Sequence, residues 1–163
     1  MPINAPHHTL VAYFSWAGNT RKVAERIATV YGATLFAIET THNYPTELTA
    51  CVEVSHKEKD ADIRPELTQK VEDMSQYDVV FVGFPNWCGT APMAVWTFLE
   101  SYDFTGKTLI PFITHGKGGR QQCFDDFARH VGTADIRSGF SCKGAEVDAS
   151  LGEVDKWLEG LAL

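Results

Sequence analysis

Short apolar segments alternate along the whole chain with segments whose apolar residues recur at helical spacing. Runs rich in Val, Ile, Phe and Tyr occupy residues 9–14, 34–38, 78–84 and 108–114, and a weaker fifth run lies at 135–141. Three of these runs are nearly continuous in apolar character, as is typical of strands buried on both faces of a parallel sheet. The alternation predicts a doubly wound α/β sandwich with right-handed crossovers.

The segments between these runs carry apolar stripes about one helix face wide. The stripes are Val23, Ala24, Ile27, Ala28 and Tyr31; Leu67, Val71 and Met74; Ala94, Val95, Phe98, Leu99 and Tyr102; Cys123, Phe124, Phe127, Ala128 and Val131; and Leu151, Val154, Leu158 and Leu161. Each stripe predicts a helix on one face of the sheet.

Two places depart from this pattern. The segment of residues 39–64 is too long for a loop without secondary structure, and the helical spacing of Leu48, Cys51 and Val52 predicts an extra helix there. Pro111 lies inside the fourth apolar run and has no N–H to donate, so we expect that strand to bulge or to be unpaired on one side.

Length and charge exclude several classes of protein. The chain has 163 residues, which predicts a single domain over residues 9–163 after a flexible tail at residues 1–8. Twenty-one acidic against 14 basic residues give a net charge of −7, which argues against binding to nucleic acid or to anionic lipid. No C-x-x-C spacing and no membrane-length apolar run occur, so a cytoplasmic protein with reduced thiols is predicted.

Ligands of open parallel sheets bind beyond the carboxyl ends of the strands. The first strand run is followed by Ser15-Trp16-Ala17-Gly18-Asn19-Thr20, which leads directly into the first helical stripe. Hydroxyl groups and backbone amides at a helix N-terminus can enclose a phosphate monoester, although the same residue types also form ordinary helix caps. The loop therefore predicts either a phosphate site or a helix cap.

Two further loops follow the third and fourth strand runs at the same rim. Pro85-Asn86-Trp87-Cys88-Gly89 offers a flat aromatic face, and Thr114-His115-Gly116-Lys117-Gly118-Gly119 allows a close backbone approach. The alternatives are that Trp87 packs on the core and that residues 114–119 form a plain flexible loop. No Walker, dinucleotide or nucleophile-elbow motif is present, so the rim favours a mononucleotide over ATP, NAD or a serine hydrolase.

These loops resemble those of the flavodoxin-like FMN proteins. The resemblance rests on residues 13–20 and 83–92 and extends through 98–100, 103–108 and 111–112. Tyr44-Pro45 and Arg64-Pro65-Glu66 are similar to a flavodoxin subfamily with a long second crossover. The resemblance implies a three-layer α/β sandwich, a five-stranded parallel sheet of order 2-1-3-4-5, and non-covalently bound FMN.

The resemblance also assigns the binding residues by position. Residues 15–20 would hold the 5′-phosphate, residues 85–89 one side of the isoalloxazine with Trp87 in contact, and residues 114–119 its pyrimidine side. Relatives usually read Pro-Ile-Trp-Trp-Gly where this chain has Asn86 and Cys88. The predicted cofactor-binding residues are Ser15, Trp16, Ala17, Gly18, Asn19, Thr20, Pro85, Asn86, Trp87, Cys88, Gly89, Thr114, His115, Gly116, Gly118 and Gly119.

Three functions remain open from the sequence. The first is an electron carrier that shuttles one or two electrons between redox partner proteins, with the acidic surface as a docking site for a basic partner. The second is an FMN-dependent NAD(P)H:quinone-type oxidoreductase, in which His115 would be the candidate proton donor, or simply a solvated loop side chain. The third is a flavin-free module that binds a partner protein.

Overall fold

The computed structural model describes residues 8–161 and 163. The predicted flexible tail at residues 1–8 therefore lies almost wholly outside the described residues. The strands are β1 (Thr9–Tyr13), β2 (Thr34–Ala37), β3 (Val79–Pro85), β4 (Thr108–His115), β5 (Asp135–Ile136) and β6 (Phe140–Lys143). All pair in parallel in the order β2-β1-β3-β4-β5, with β6 also pairing with β4, which confirms the predicted fold class.

The helices form the outer layers of the sandwich. They are α1 (Asn19–Tyr31), α2 (Leu48–Asp60), α3 (Met93–Glu100), α4 (Cys123–His130) and α5 (Val147–Gly160). Side chains from α1 and α5 share one apolar cluster with one face of the sheet, and those from α3 and α4 share the other. The helix α2 lies beside α3.

Strand β3 contributes side chains to the apolar clusters on both faces of the sheet. Val80 and Val82 belong to the cluster that contains α3 and α4, whereas Val79 and Phe81 belong to the cluster that contains α1 and α5. Successive side chains of a strand point to opposite faces, so a strand covered by helices on both sides must be apolar throughout. This explains the continuous apolar runs in the sequence.

The fifth predicted strand is interrupted opposite Pro111. The break at residues 137–139 separates β5 from β6, while the register between β3 and β4 runs through Pro111 without a bulge. The carbonyl oxygen of Leu109 accepts from the backbone N–H of Arg137, so the backbone groups of Leu109 face β5. Residues two apart in a strand direct their backbone groups to the same side, so the nitrogen of Pro111 faces the break between β5 and β6. The predicted loss of pairing on one side is confirmed.

The helix predicted from Leu67, Val71 and Met74 is wrong. Leu67 instead forms an antiparallel bridge with Thr40, and the backbone N–H of Val71 donates to the Tyr102 hydroxyl at 2.8 Å. Within residues 67–76, the helical conformation is limited to a short 3₁₀ turn at Met74–Gln76. The three side chains still pack on the core, so their spacing reflects burial without helical hydrogen bonding.

The extra helix predicted within residues 39–64 is confirmed as α2. None of the helices in the described part of the chain has both the length and the apolar composition needed to cross a bilayer. Within residues 8–161 and 163, no three His, Cys, Asp or Glu side chains cluster as a metal site.

His130 makes the stability of the protein depend on pH. Its ring stacks on Trp96 with centroids 3.7 Å apart, and burial lowers its pKa, a shift that Glu100 at 3.8 Å opposes. The unfolded chain therefore binds the proton at higher pH than the folded chain does. We expect the free energy of unfolding to fall as the pH drops below about 6.5, the usual histidine pKa.

The variant His130→Phe keeps an aromatic ring against Trp96 and removes the titration. Urea unfolding at pH 5 and pH 7 should show a smaller pH dependence for this variant than for the parent. At pH 8, where His130 is neutral in both states, the two proteins should respond alike to further rises in pH. If the free energy of unfolding changed equally between pH 5 and pH 7 in the parent and in His130→Phe, the pH dependence could not be assigned to His130.

Candidate functional site

A cavity of about 420 Å³ opens at the carboxyl ends of β1, β3 and β4. It lies where the strand order reverses between β1 and β3, which is the usual ligand position in such sheets. The predicted site residues that line it come from all three loops; they are Ser15, Trp16, Ala17, Asn19, Thr20, Pro85, Asn86, Trp87, Cys88, Thr114, His115 and Gly116. The structure therefore brings the three predicted loops to one cavity.

Four predicted glycines belong to these loops without lining the cavity. Gly18 immediately precedes α1 and has a φ of 96°, and Gly89 occupies the turn after β3 with a φ of 88°. A Cβ atom at Gly118 would lie 3.6 Å from the Gln121 side chain, and the carbonyl oxygen of Gly119 accepts from Asn86 Nδ2 at 2.7 Å. These glycines shape the loops that carry the lining residues.

The loop after β1 places the N-terminus of α1 at the cavity. Ser15 Oγ accepts from the backbone N–H of Gly18 at 3.1 Å and of Arg21 at 3.3 Å, which fixes the loop against the helix. Thr20 and Thr114 are both buried, and their hydroxyl oxygens lie 2.7 Å apart, which joins the first turn of α1 to the end of β4. The first N–H groups of a helix lack intrahelical acceptors and carry partial positive charge, so this end suits an anion.

The cations after this loop are engaged elsewhere. Arg21 Nε donates to Glu25 at 2.7 Å, and Lys22 Nζ lies 3.2 Å from Asp148. Although the protein carries a charge of −7, no acidic side chain among the described residues lines the cavity. The electrostatic preference for an anion therefore comes from the helix dipole and the hydroxyl groups.

An aromatic cluster holds the loop after β3. Trp87 packs edge-to-face against Phe14, with centroids 5.1 Å apart, and against Tyr44, with centroids 5.0 Å apart. Trp16 Nε1 donates to the carbonyl oxygen of Pro45 at 2.8 Å, which ties the first loop to the segment before α2. Trp16 and Trp87, which both line the cavity, are thus held in place by these contacts.

Asn86 connects the loop after β3 to the loop after β4. Its Oδ1 accepts from the backbone N–H of Gly89 at 2.9 Å, and its Nδ2 donates to Gly119 O and to Gln121 Oε1. The backbone N–H of Asn86 also donates to Thr114 O at 2.8 Å. Asn86 is therefore a bridging residue that sets the spacing of the two loops.

The helix α2 forms a wall of the cavity that the sequence-based site did not include. Its lining residues are Leu48, Cys51, Val52, Ser55 and His56. Leu48 and Val52 are large apolar side chains that remain 65% and 41% exposed. Their helical spacing predicted α2, but only the fold shows that this helix faces the three loops.

Contacts from the end of α2 hold it over the cavity. Glu58 is buried, accepts from the Tyr44 hydroxyl at 2.7 Å and lies 3.3 Å from His42 Nε2. Burial raises the pKa of Tyr44, and the hydrogen bond to Glu58 raises it further, so the phenol remains a donor. Lys59 Nζ donates to the carbonyl oxygen of Cys88 at 2.8 Å, which ties α2 to the turn after β3.

Gly144 and Ala145, which follow β6, complete the lining. A Cβ atom at Gly144 would lie 2.6 Å from Asn19 Nδ2, so a glycine is required for Asn19 to keep its position. Both residues follow a parallel strand, and the rule that ligands bind beyond strand ends could have identified them.

Comparisons with known proteins agree with this geometry. A family model described as Flavodoxin matches residues 8–161. A structure from Bacteroides uniformis ATCC 8492, provisionally described as a flavoprotein, is 30% identical with a TM-score of 0.81, over 95% of this chain and 99% of that one. A similar Bacteroides eggerthii DSM 20697 structure is 27% identical with a TM-score of 0.78, over 96% and 99% of the two chains.

A more distant structure shares the fold. The flavoprotein of Lactobacillus acidophilus NCFM, solved in complex with FMN, is 20% identical with a TM-score of 0.74, over 88% of this chain and 97% of that one. No curated protein matches the chain in sequence. Because the family model covers nearly all of the described residues and the cavity lies at the strand-order reversal, this chain belongs to the flavodoxin family.

Proposed function

We propose that this protein binds FMN non-covalently in the cavity and carries electrons between redox partner proteins. The observation that supports this most is the combination of two environments in one cavity. The N-terminus of α1 contributes to the lining, in which no described side chain is acidic, and aromatic and aliphatic side chains contribute the apolar part. A flavin mononucleotide has the matching pair of ends, a phosphate monoester and a flat apolar ring.

The loop of residues 15–20 is proposed to hold the phosphate. Backbone N–H groups at the start of α1 would donate to the phosphate oxygens, and the hydroxyl groups of Ser15 and Thr20 add polar partners. Thr20 is already fixed by its contact with Thr114, so little side-chain entropy is lost when it binds.

The ring is proposed to lie between the loop after β3 and α2. Pro85 and Trp87 line the cavity on the loop side, and Leu48 and Val52 line it from α2. Covering these exposed apolar side chains with an apolar ring is favourable by about 25 cal/mol per Å² of buried surface. The bound flavin would supply the one- or two-electron chemistry, and the protein would exclude water and set the charge around the ring.

Absorption and fluorescence spectroscopy test this proposal. Added FMN should lose its fluorescence on binding, with one flavin bound per chain, and an anaerobic dithionite titration should show reversible reduction of the bound flavin. A protein that leaves FMN fluorescence unchanged at micromolar concentrations would contradict flavin binding and would favour a flavin-free binding module.

Two histidines on the cavity wall support a second candidate function. His115 is the last residue of β4, with Nδ1 2.8 Å from Gly116 O, and His56 lies on α2. Either imidazole can donate a proton to a reduced acceptor such as a quinone. Turnover of NADPH with a quinone by the FMN-loaded protein alone would support a reductase, whereas a carrier should turn over only with a partner reductase.

The α2 wall predicts a specific loss of ring contact in the variant Val52→Ala. Removing two methyl groups from contact with the ring should weaken FMN binding by about 10-fold, at roughly 0.8 kcal/mol per carbon. Because the phosphate is not involved, riboflavin affinity should fall by the same factor in a fluorescence titration. The neighbouring variant Glu53→Ala, on an exposed side chain outside the cavity, should bind both flavins like the parent. If Val52→Ala bound FMN with the same affinity as the parent, α2 would not contact the bound ring.

A further inference from the structure

Two cysteines from different elements line the cavity. Cys51 lies on α2, and Cys88 lies in the turn after β3. Ser55 is one helical turn from Cys51, so their side chains lie on the same face of α2. The Oγ atom of Ser55 is 3.3 Å from the Sγ atom of Cys88. The Cys88 sulfur is therefore in contact with the face of α2 that carries Cys51.

The electrostatics of Cys51 show the same proximity. Burial raises the pKa of the Cys51 thiol, and a Cys88 thiolate raises it further, followed by Glu58. The interaction between charges falls with distance, so this influence agrees with the contact between Cys88 and the face of α2 that carries Cys51. Cys51 is buried, whereas Cys88 is partly exposed to solvent, so only Cys88 is accessible to a reagent in solution.

The backbone of Cys88 supports a role for its side chain. The turn is closed by paired hydrogen bonds between Trp87 and Thr90, and Cys88 and Gly89 both have positive φ angles, of 56° and 88°. Such turns favour Asn and Gly, and an L-residue in this region costs roughly 1–2 kcal/mol. The strained position holds the Cys88 thiol against α2.

We propose that Cys51 and Cys88 are a redox-active dithiol that a small disulfide, such as oxidised glutathione, converts to an intramolecular disulfide. Oxidation links α2 to the turn after β3 and lowers the affinity of the cavity for FMN. The link between the two cysteines stands on its own, whereas its effect on FMN rests on the proposed function.

The exchange proceeds in two displacement steps. The Cys88 thiolate attacks one sulfur of oxidised glutathione, which forms a mixed disulfide and releases one glutathione thiolate. Cys51 then gives its proton to water and attacks the Cys88 sulfur, which releases the second glutathione. The two cysteines together lose two electrons and two protons, and the oxidant gains them as two thiols.

The closed disulfide limits the movement of α2. A disulfide holds its two Cα atoms about 4.4–6.8 Å apart, so closure locks α2 against the turn that it already contacts through Ser55 and Cys88. Leu48 and Val52 lie on α2, and Trp87 precedes Cys88, so the space between these side chains can no longer widen. A flavin ring that needs this space to widen is excluded.

Treating the full chain with oxidised glutathione and then counting free thiols tests the dithiol. The count should fall from the four cysteines of the chain to two, with a peptide that links Cys51 to Cys88 in the mass spectrum. Cys123 and Cys142 should stay reduced because they belong to the two apolar clusters on opposite faces of the sheet, so they cannot pair with each other, and neither lines the cavity. Four remaining thiols, or stable glutathione on Cys88 alone, would overturn the proposal.

Matched variants separate the dithiol from the flavin site. Cys88→Ser and Cys51→Ser should each abolish the intramolecular link, whereas Cys142→Ser should still form it. In the parent, oxidation should weaken FMN binding at least 10-fold, and dithiothreitol should restore it. An oxidised protein that binds FMN unchanged overturns the effect on the cavity. A reduced protein that fails to bind FMN contradicts the proposed function and leaves the thiol result intact.

Discussion

The variant Ala17→Asp should bind FMN at least 100-fold more weakly than the parent protein. Ala17 lies between Ser15 and the start of α1 on the cavity wall, where the phosphate is proposed to bind. A carboxylate about 5 Å from a single phosphate charge costs about 3 kcal/mol at an effective dielectric constant of 20. A fluorescence titration with FMN measures this loss directly.

Riboflavin provides the matched ligand for this experiment. It lacks the phosphate, so Ala17→Asp should change its affinity far less than the affinity for FMN. The variant Ala149→Asp, on an exposed position of α5 outside the cavity, adds the same charge and should leave both affinities unchanged. Equal losses for FMN and riboflavin in Ala17→Asp would mean that the phosphate binds elsewhere.

The variant Gly83→Ala should lower the free energy of unfolding by about 3 kcal/mol. Gly83 is buried in β3, and the ring of Phe112 from β4 lies directly over its Cα atom, in the place where a Cβ atom would project. Phe112 is fully buried, so its ring cannot move away without disturbing the core around it. Overpacking of this kind costs 1–3 kcal/mol or more, which urea unfolding resolves.

Two further variants establish the cause of this destabilisation. Adding Phe112→Leu to Gly83→Ala should recover part of the lost stability relative to the sum of the two single changes, because the smaller side chain relieves the clash. Gly152→Ala lies in α5 with open space around it and should stabilise the protein by up to about 1 kcal/mol. If Gly83→Ala unfolds at the same urea concentration as the parent, the packing of Phe112 against β3 is wrong.

The central strands could be located because helices cover both of their faces, whereas the strand order followed from the resemblance to the flavodoxin-like proteins. The edge strand β2 is partly exposed, with Leu35 42% exposed. β3 and β4 are continuous apolar runs since helices cover both sides, so their residues carry the pattern locally. The segment from Leu67 to Met74 shows where such patterns fail. Its spacing is helical, but Thr68 N donates to Glu39 O and Val71 N donates to Tyr102, and these distant partners leave no sign in the local sequence.

The candidate site was predictable to the extent that it consists of strand ends. The three loops follow β1, β3 and β4 directly, so the topology alone brings them together. The contribution of α2 was not predictable, because its placement over the cavity depends on tertiary contacts. Glu58 with Tyr44 and Lys59 with Cys88 O determine that placement. The net charge of −7 was similarly uninformative about the cavity, whose described lining has no acidic side chain.

A crystal structure of the protein saturated with FMN would show whether the cavity binds the flavin. We expect density for one FMN in the cavity, with the phosphate against residues 15–20 and the ring between Trp87 and Val52. A saturated protein whose cavity contains no flavin density, or whose phosphate lies away from the start of α1, would contradict this expectation.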